Sequence, residues 1–216
     1  MSTTFEVIPV ETIHITFREV IELSEKRINA FLESIGIIST IQLSINLHEN
    51  REKYVNEIDL DSFFNWADNE YVWFVIKGIP GGTDAYCEEL KDDFSDSGPW
   101  WRLEDILLNN KAIENFELKI EKAKRLNRYW TFRRSAGQPG SINLAYGLIS
   151  ASIAELTGGF IWTEDGAWNF KKFPAEPADF YKWYFRPENE EHQDSKEWAL
   201  RCLDGIEQEI EAANNK

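Results

Sequence analysis

Residues 71–76 read Tyr-Val-Trp-Phe-Val-Ile, an unbroken run of apolar and aromatic side chains. A strand carries its side chains alternately on two faces, so a run that is apolar at every position predicts a central strand covered on both sides. The preceding segment, residues 37–47, alternates apolar and polar side chains, which is typical of a half-solvated strand in an antiparallel sheet. Together these segments predict a sheet as the centre of the fold.

Helical periodicity surrounds these strands. Thr16 and Glu19 form a capping-box pattern, behind which apolar residues recur at helical spacing until Gly36. Further helices are predicted from residue 112, over 141–156 and near the end of the chain, and short strands over 129–132 and 160–162. Because helices and strands mix without regular β-α-β alternation, we predict an α+β fold. It is a single domain over residues 1–216, with a mixed, largely antiparallel sheet packed by helices.

Two connecting segments are predicted from their capping and turn residues. An Asp-Ser cap followed by aromatic residues predicts a short helix at 61–66. Residues 78–82, Gly-Ile-Pro-Gly-Gly, break regular structure and open an irregular acidic excursion, which we place at about 78–99. Loops of that length are uncommon in compact domains and tend to be functional.

The composition favours a folded, acidic protein. Of 216 residues, 43% are hydrophobic and 14% are aromatic, which supports a sizeable core and argues against intrinsic disorder. The 38 acidic residues outnumber the 23 basic ones and give a formal net charge of -15. Because polyanions repel such a surface, the charge argues against a general nucleic-acid binder and against a peripheral protein of anionic membranes.

The sequence predicts a cytoplasmic location. The first residues lack the basic and then apolar pattern of a secretory signal, and no window approaches the roughly 18 consecutive apolar residues that span a bilayer. The richest apolar stretch, 142–156, is interrupted by polar residues and predicts a buried helix.

Cys87 and Cys202 lie far apart in the chain. Two free thiols in a reducing cytoplasm are the simpler interpretation, although a bridge between them stays open.

The acidic charge is concentrated in the excursion. Six acids there run towards two adjacent tryptophans: Asp84, Glu88, Glu89, Asp92, Asp93, Asp96, Trp100 and Trp101. Carboxylates steer and pair with a cationic partner, and tryptophan supplies desolvated contact area, so we predict that this segment binds a basic protein. The alternative is an ordinary acidic loop whose tryptophans fill the core.

Two other segments carry an excess of one charge. Residues 119–134 hold seven basic residues and one acid, and residues 187–216 hold nine acids and three bases. Charge runs usually form solvated helix faces, and we interpret the acidic segment in that way. We interpret the basic segment as a helix whose lysine-rich polar face pairs with acidic surface elsewhere in the protein.

The sequence contains no motif of catalysis, metal binding or cofactor binding. His14, His48 and His192 lie outside any nucleophile or zinc motif, so we expect no metal and no cofactor. The glycines of residues 137–141 precede a predicted helix and could present amides to an anion. The segment lacks the lysine and the spacing of a P-loop, however.

The best candidate for carboxylate chemistry is the segment 163–168, Thr-Glu-Asp-Gly-Ala-Trp, in which two acids, one of them Asp165, follow a predicted buried strand and precede Trp168. Arg133 and Arg134 directly follow another predicted strand, and alternation would send their side chains to opposite faces. A cleft around these four residues would suit a hydrolase or transferase. Alternatively, Asp165 lies in a turn, Trp168 fills the core, and one arginine holds a buried carboxylate such as Asp165.

The C-terminal half carries four segments that point to a family: residues 132–139 (Phe-Arg-Arg-Ser-Ala-Gly-Gln-Pro), 156–161 (Leu-Thr-Gly-Gly-Phe-Ile), 165–168 (Asp-Gly-Ala-Trp) and the aromatic run 180–185. These segments resemble small acidic immunity proteins of bacterial polymorphic toxin systems. The resemblance implies a single-domain cytoplasmic α+β protein that neutralises a toxin by binding it. A nuclease toxin is the first expectation, and it agrees with the acidic charge because nucleases carry basic active-site faces.

Two functional hypotheses follow. The first is a non-enzymatic inhibitor that occludes a basic toxin domain and has no nucleic-acid or membrane partner. The alternative is a hydrolase or transferase with its cleft around Arg133, Arg134, Asp165 and Trp168.

Overall fold

The computed structural model describes residues 2–49, 53–55, 58–89, 113–163, 165 and 167–214. Seven strands lie within them: β1 (Thr3–Ile8), β2 (Leu43–Glu49), β3 (Lys53–Val55), β4 (Glu70–Ile76), β5 (Thr83–Glu88), β6 (Tyr129–Arg134) and β7 (Phe160–Trp162). They form one sheet in the order β3-β2-β4-β5-β6-β1-β7, and every pairing is antiparallel. The apolar segment 71–76 lies in β4 between β2 and β5, which confirms the prediction of a central strand.

Helices pack on this sheet. They are α1 (Phe17–Ser34), α2 (Phe116–Leu126), α3 (Gly140–Leu156), α4 (Pro177–Trp183) and α5 (Gln193–Asn214), with short 3-10 turns at Phe170–Lys172 and Pro187–Asn189. The capping box that begins α1 is present, since the Glu19 amide donates to the Thr16 hydroxyl and the Thr16 amide donates to the Glu19 carboxylate. The α+β fold predicted from the sequence is therefore confirmed.

Helix α3 lies at the centre of the molecule. Every residue from Gly140 to Ala154 is buried, because α3 packs against β1, β6 and β7 on one side and against α1, α4 and α5 on the other. The Phe5 ring of β1 stacks on Tyr146 of α3 at 4.6 Å between centroids. A helix with apolar side chains on every side, interrupted only by short polar residues, is typical of such a buried position.

The two faces of the sheet differ in exposure. In β4 the side chains of Val72, Phe74 and Ile76 are buried in the core, whereas those of Tyr71 and Trp73 are half-buried. The second face is thus less completely covered than the apolar run predicted.

The predicted strand at 37–47 is too long at its start. Strand β2 begins at Leu43, and Ile38 is 98% exposed. Asn29 of α1 explains the boundary, because its side chain bonds to both the amide and the carbonyl of Ile41 and holds this segment against the helix.

The predicted helix at 61–66 is wrong. Phe63 instead forms an isolated β-bridge with Thr16, and the Phe64 amide donates to the Ile15 carbonyl. The segment therefore pairs with the chain that leads into α1. Its aromatic side chains still reach the core, where Phe64 packs on Phe17 at 5.0 Å between ring centroids.

The prediction of an irregular acidic excursion at 78–99 is wrong for residues 83–88. These residues form strand β5, which lies between β4 and β6. Thr83, Ala85 and Cys87 of this strand are buried. Residues 90–99 lie outside the described residues.

Two further features bear on function. Within the described ranges, no helix combines the length and the apolar character needed to cross a membrane. The same ranges contain no group of three or more His, Cys, Asp or Glu residues placed to hold a metal ion.

Candidate functional site

Asp84, predicted as part of an exposed docking surface, is 2% exposed in β5. Its register partner across the strands is Arg133, which donates to Asp84 Oδ2 through Nε at 2.9 Å and also through Nη2. The Tyr86 hydroxyl donates to the same oxygen at 2.9 Å. The prediction for Asp84 is wrong because a neighbouring strand supplies the cation that neutralises it inside the protein.

Glu88 and Glu89 are the described residues of the predicted acidic surface that are exposed, at and just beyond the end of β5. Glu88 accepts a hydrogen bond from the Tyr129 hydroxyl. Burial and the neighbouring carboxylate both raise the pKa of Tyr129, so its hydroxyl stays a donor. Five predicted residues lie outside the described residues: Asp92, Asp93, Asp96, Trp100 and Trp101.

The four residues of the predicted cleft do not form one site. Arg133 and Arg134 point to opposite faces of the sheet, as their alternation predicted: Arg133 contacts Tyr86 on one face and Arg134 contacts Tyr146 of α3 on the other. Asp165 is exposed and pairs with neither arginine, because it accepts hydrogen bonds from the hydroxyls of Thr4 and Thr163.

Trp168 fills the core, as the alternative interpretation held. It is 4% exposed and stacks on Phe185 at 5.4 Å and against Trp198 at 5.9 Å between ring centroids. One arginine does hold a buried carboxylate, but the carboxylate is Asp84. The geometry therefore offers no shared cleft for the hydrolase or transferase hypothesis.

The N-terminus of α3, where the sequence suggested an anion site, is filled by a side chain of the protein. The Gly140 amide donates to Glu209 Oε1 at 2.8 Å, and the Ser141 amide donates to Oε2 at 2.9 Å. A carboxylate at this position satisfies two amides that have no partner within the helix and stabilises the positive end of the helix dipole. The amides at this glycine-rich turn are thus capped by a carboxylate of the protein itself.

Helix α5 presents an acidic stripe to the outside. We define the α5 stripe as Glu197, Leu200, Asp204, Glu207 and Glu211, all of them exposed. Their spacing of three and four residues places them along one side of the helix. The four carboxylates form no ion pair with any other described residue.

Leu200 lies within this stripe and is 44% exposed. An exposed leucine framed by carboxylates without an ion pair was not predicted, because the sequence showed only the buried side of the helix and its acidic surplus. The sequence predicted which residues of the last helix are buried. The exposed positions at the same helical spacing on the opposite side could have been read from that prediction and would have located the stripe. Arg201 is also exposed on this side of the helix.

A cleft of about 520 Å³ opens between α1, the end of α3 and α4. Its charged side chains neutralise one another: Arg27 pairs with Glu155, and Lys119 pairs with Glu176. The Tyr181 hydroxyl also donates to Glu155 at 3.0 Å. These pairs leave the cleft without an uncompensated charge of its own.

Comparison of the chain with protein-family models, with curated proteins and with solved structures gave no match.

Proposed function

We propose that this protein is an inhibitor that binds a basic protein directly and that the α5 stripe is its docking surface. The resemblance of the C-terminal half points to a toxin domain as the partner. The observation that carries the proposal is the exposed leucine on α5 among carboxylates that form no ion pair with any other described residue.

Charge supports this choice of partner. The chain has a formal net charge of -15, and the carboxylates of the α5 stripe have no internal cation to release before they meet a partner. Such a surface raises the association rate constant with a cationic protein. The increase becomes smaller at higher ionic strength, because salt screens the charges. Asp84, in contrast, is already neutralised by Arg133.

The exposed leucine supports direct occlusion. Interfaces gain most of their affinity from a few apolar or aromatic anchors that lose contact with water, while the surrounding charges set orientation and specificity. Leu200 has the position of an anchor, and Glu197 and Asp204 lie one turn before and one turn after it on the helix.

The test measures binding between the full chain and the product of the gene directly upstream. A variant with Glu197→Lys, Asp204→Lys and Glu207→Lys is expected to bind about 100-fold more weakly. Leu200→Ala is expected to weaken binding about tenfold, mainly through faster dissociation.

The matched control reverses three exposed acids of the α2 region, Glu114, Glu117 and Glu121, to lysine. This control changes the net charge by the same amount, so a loss of affinity confined to the α5 variant locates the surface.

A third variant, Glu88→Lys with Glu89→Lys, tests the exposed end of β5. Equal losses in the α5 and α2 variants, or the whole loss in the β5 variant, would contradict docking on α5. If the product of the upstream gene is not toxin-like, or if it does not bind the unmodified chain, the proposed function is wrong.

A further inference from the structure

We propose that Arg134 anchors a binding site for an oxyanion, a carboxylate or a phosphate, where β1, β6, α3 and α5 meet. The proposal is independent of the α5 stripe and of any toxin, because it concerns a fixed cation in a protein of otherwise acidic character.

Neutral groups hold the Arg134 guanidinium in place. Nε and Nη2 donate to the Thr3 hydroxyl at 3.1 and 2.9 Å, and Nη1 donates to Asn143 Oδ1 at 2.9 Å. These bonds use three of its five N–H groups and leave two. In the described part of the chain no carboxylate lies within ion-pair distance of Arg134.

Two aromatic rings fix the plane of this cation. The guanidinium carbon lies 4.6 Å from the ring centroid of Trp198 and 5.8 Å from that of Tyr146. Ring contacts and hydrogen bonds from three elements restrict the side chain before any ligand arrives. A guanidinium that is already ordered loses less conformational entropy when it binds an oxyanion through its planar fork.

The carboxylates on neighbouring segments have other partners. Asp165 accepts hydrogen bonds from Thr4 and Thr163, and Glu209 caps the first amides of α3. Asn143, which accepts from Arg134, lies in the first turn of α3, near the positive end of the helix dipole. Neither carboxylate is bonded to Arg134, so its two remaining N–H groups have no carboxylate partner among the described residues.

A buried donor without an acceptor lies on the far side of one shared ring contact from Arg134. Trp168 is buried, and its indole N–H has no acceptor among the described residues. Its ring contacts Trp198, the same ring that the Arg134 guanidinium covers. The two remaining N–H groups of this half-buried cation match the oxygens of a planar or tetrahedral oxyanion.

The test titrates the full chain with sodium phosphate and, separately, with sodium acetate, at constant pH and ionic strength against sodium chloride. We expect a saturable shift of the Arg134 Nε–H resonance in ¹H–¹⁵N spectra and a rise of Tm with the anion that binds. A response to acetate alone, to phosphate alone or to both supports the site and identifies which oxyanion it prefers.

The variant Arg134→Gln is expected to lose the anion-dependent rise of Tm, and Arg134→Lys is expected to keep part of it. Arg128→Gln is the matched control, because Arg128 is also half-buried and bonded to neutral groups, Asn65 and Cys87. It is expected to respond like the unmodified chain.

A purely structural arginine would lower Tm equally in all three salts when replaced. That result, or the lack of a saturable shift in the unmodified chain with either anion, would overturn the proposal. The titration of the unmodified chain gives this answer even if Arg134→Gln does not fold.

Discussion

Arg133 and Asp84 lie directly opposite each other on neighbouring strands, and the arginine Nε donates to Asp84 Oδ2 at 2.9 Å. The two ends of this pair differ in exposure: the Arg133 side chain is 38% exposed and that of Asp84 is 3% exposed. Removing Arg133 and removing Asp84 are therefore expected to lower stability by different amounts. Without Arg133 a buried carboxylate is left unpaired, whereas without Asp84 the guanidinium turns to water.

We predict that Arg133→Ala lowers the free energy of unfolding by about 2 kcal/mol, a value reduced from that of a fully buried pair because Arg133 is partly solvated. Asp84→Ala is expected to cost about 1 kcal/mol. The double variant is expected to be no less stable than Arg133→Ala, since it leaves no buried charge. Urea denaturation of the three variants checks this order. The exposed arginine Arg125 of α2 provides the control, and equal effects of Arg125→Ala and Arg133→Ala would contradict the prediction.

The cap on α3 gives a second prediction. Glu209→Ala removes the acceptor of two helix amides and is expected to lower the free energy of unfolding by about 1–2 kcal/mol. Glu209→Gln keeps one acceptor without the charge and is expected to cost less. Glu207→Ala, two residues earlier and exposed, is the control and is expected to change stability by less than about 0.5 kcal/mol. Thermal unfolding at low and high salt measures all three. A Glu209→Ala variant as stable as Glu207→Ala would show that the cap is energetically unimportant.

The elements with a strong local pattern could be predicted from the sequence. The capping box of Thr16 and Glu19 fixed the start of α1, and the apolar run 71–76 identified the central strand. The opposite directions of Arg133 and Arg134 followed from strand alternation alone. In each case the determining interaction lies within a few residues of the chain.

The errors arise where a distant residue changes the meaning of a local pattern. Asp84 looked like part of an acidic loop, but Arg133, supplied by the neighbouring strand β6, lets a charged residue occupy a buried strand. The anion site before α3 looked vacant for the same reason, because Glu209 reaches it from the last helix. Neither partner is visible from spacing along the chain.

The close approach of α3 to a buried tyrosine gives a third prediction. Alanine forms helices more readily than glycine, so a Gly147→Ala substitution would by itself favour the helix. However, the added Cβ would lie 2.3 Å from Cζ of Tyr184. Tyr184 cannot move aside easily, because it is buried and its hydroxyl donates to the Asn143 carbonyl at 2.8 Å. Overpacking of this kind costs about 1–3 kcal/mol, more than the gain in helix propensity, so Gly147→Ala is expected to destabilise the protein.

Gly205→Ala on α5 is the matched control for this substitution. Its Cβ would meet only Glu209 Oε1, at 3.4 Å, so we expect a neutral or stabilising effect of up to about 1 kcal/mol. Adding Tyr184→Leu to Gly147→Ala is expected to cost less than the sum of the single changes. Denaturant midpoints that fall equally for the two glycine variants would disprove the steric explanation.

The two thiols give a fourth prediction, which concerns pH. Cys87 and Cys202 are free and buried, and burial raises the pKa of both thiols. Hydrogen bonds from Arg128 to Cys87 and from Asn143 to Cys202 oppose this effect without outweighing it. Because the thiolate is the reactive form, both cysteines of the folded protein are expected to react with iodoacetamide much more slowly than those of the chain in urea.

The same shift makes stability depend on pH. An unfolded thiol ionises near its ordinary pKa of 9.0, whereas the folded protein keeps the thiol protonated. The contribution of the shift to stability is therefore full below that pH and is lost as the pH rises above it, so the urea midpoint is expected to fall in this range. Cys87→Ala with Cys202→Ala removes both thiols, and the difference between its midpoint and that of the unmodified chain isolates their part of the pH dependence. Rapid alkylation of the folded protein at neutral pH, or a difference in midpoint that does not change between pH 7 and pH 10, would contradict the assignment of buried, protonated thiols.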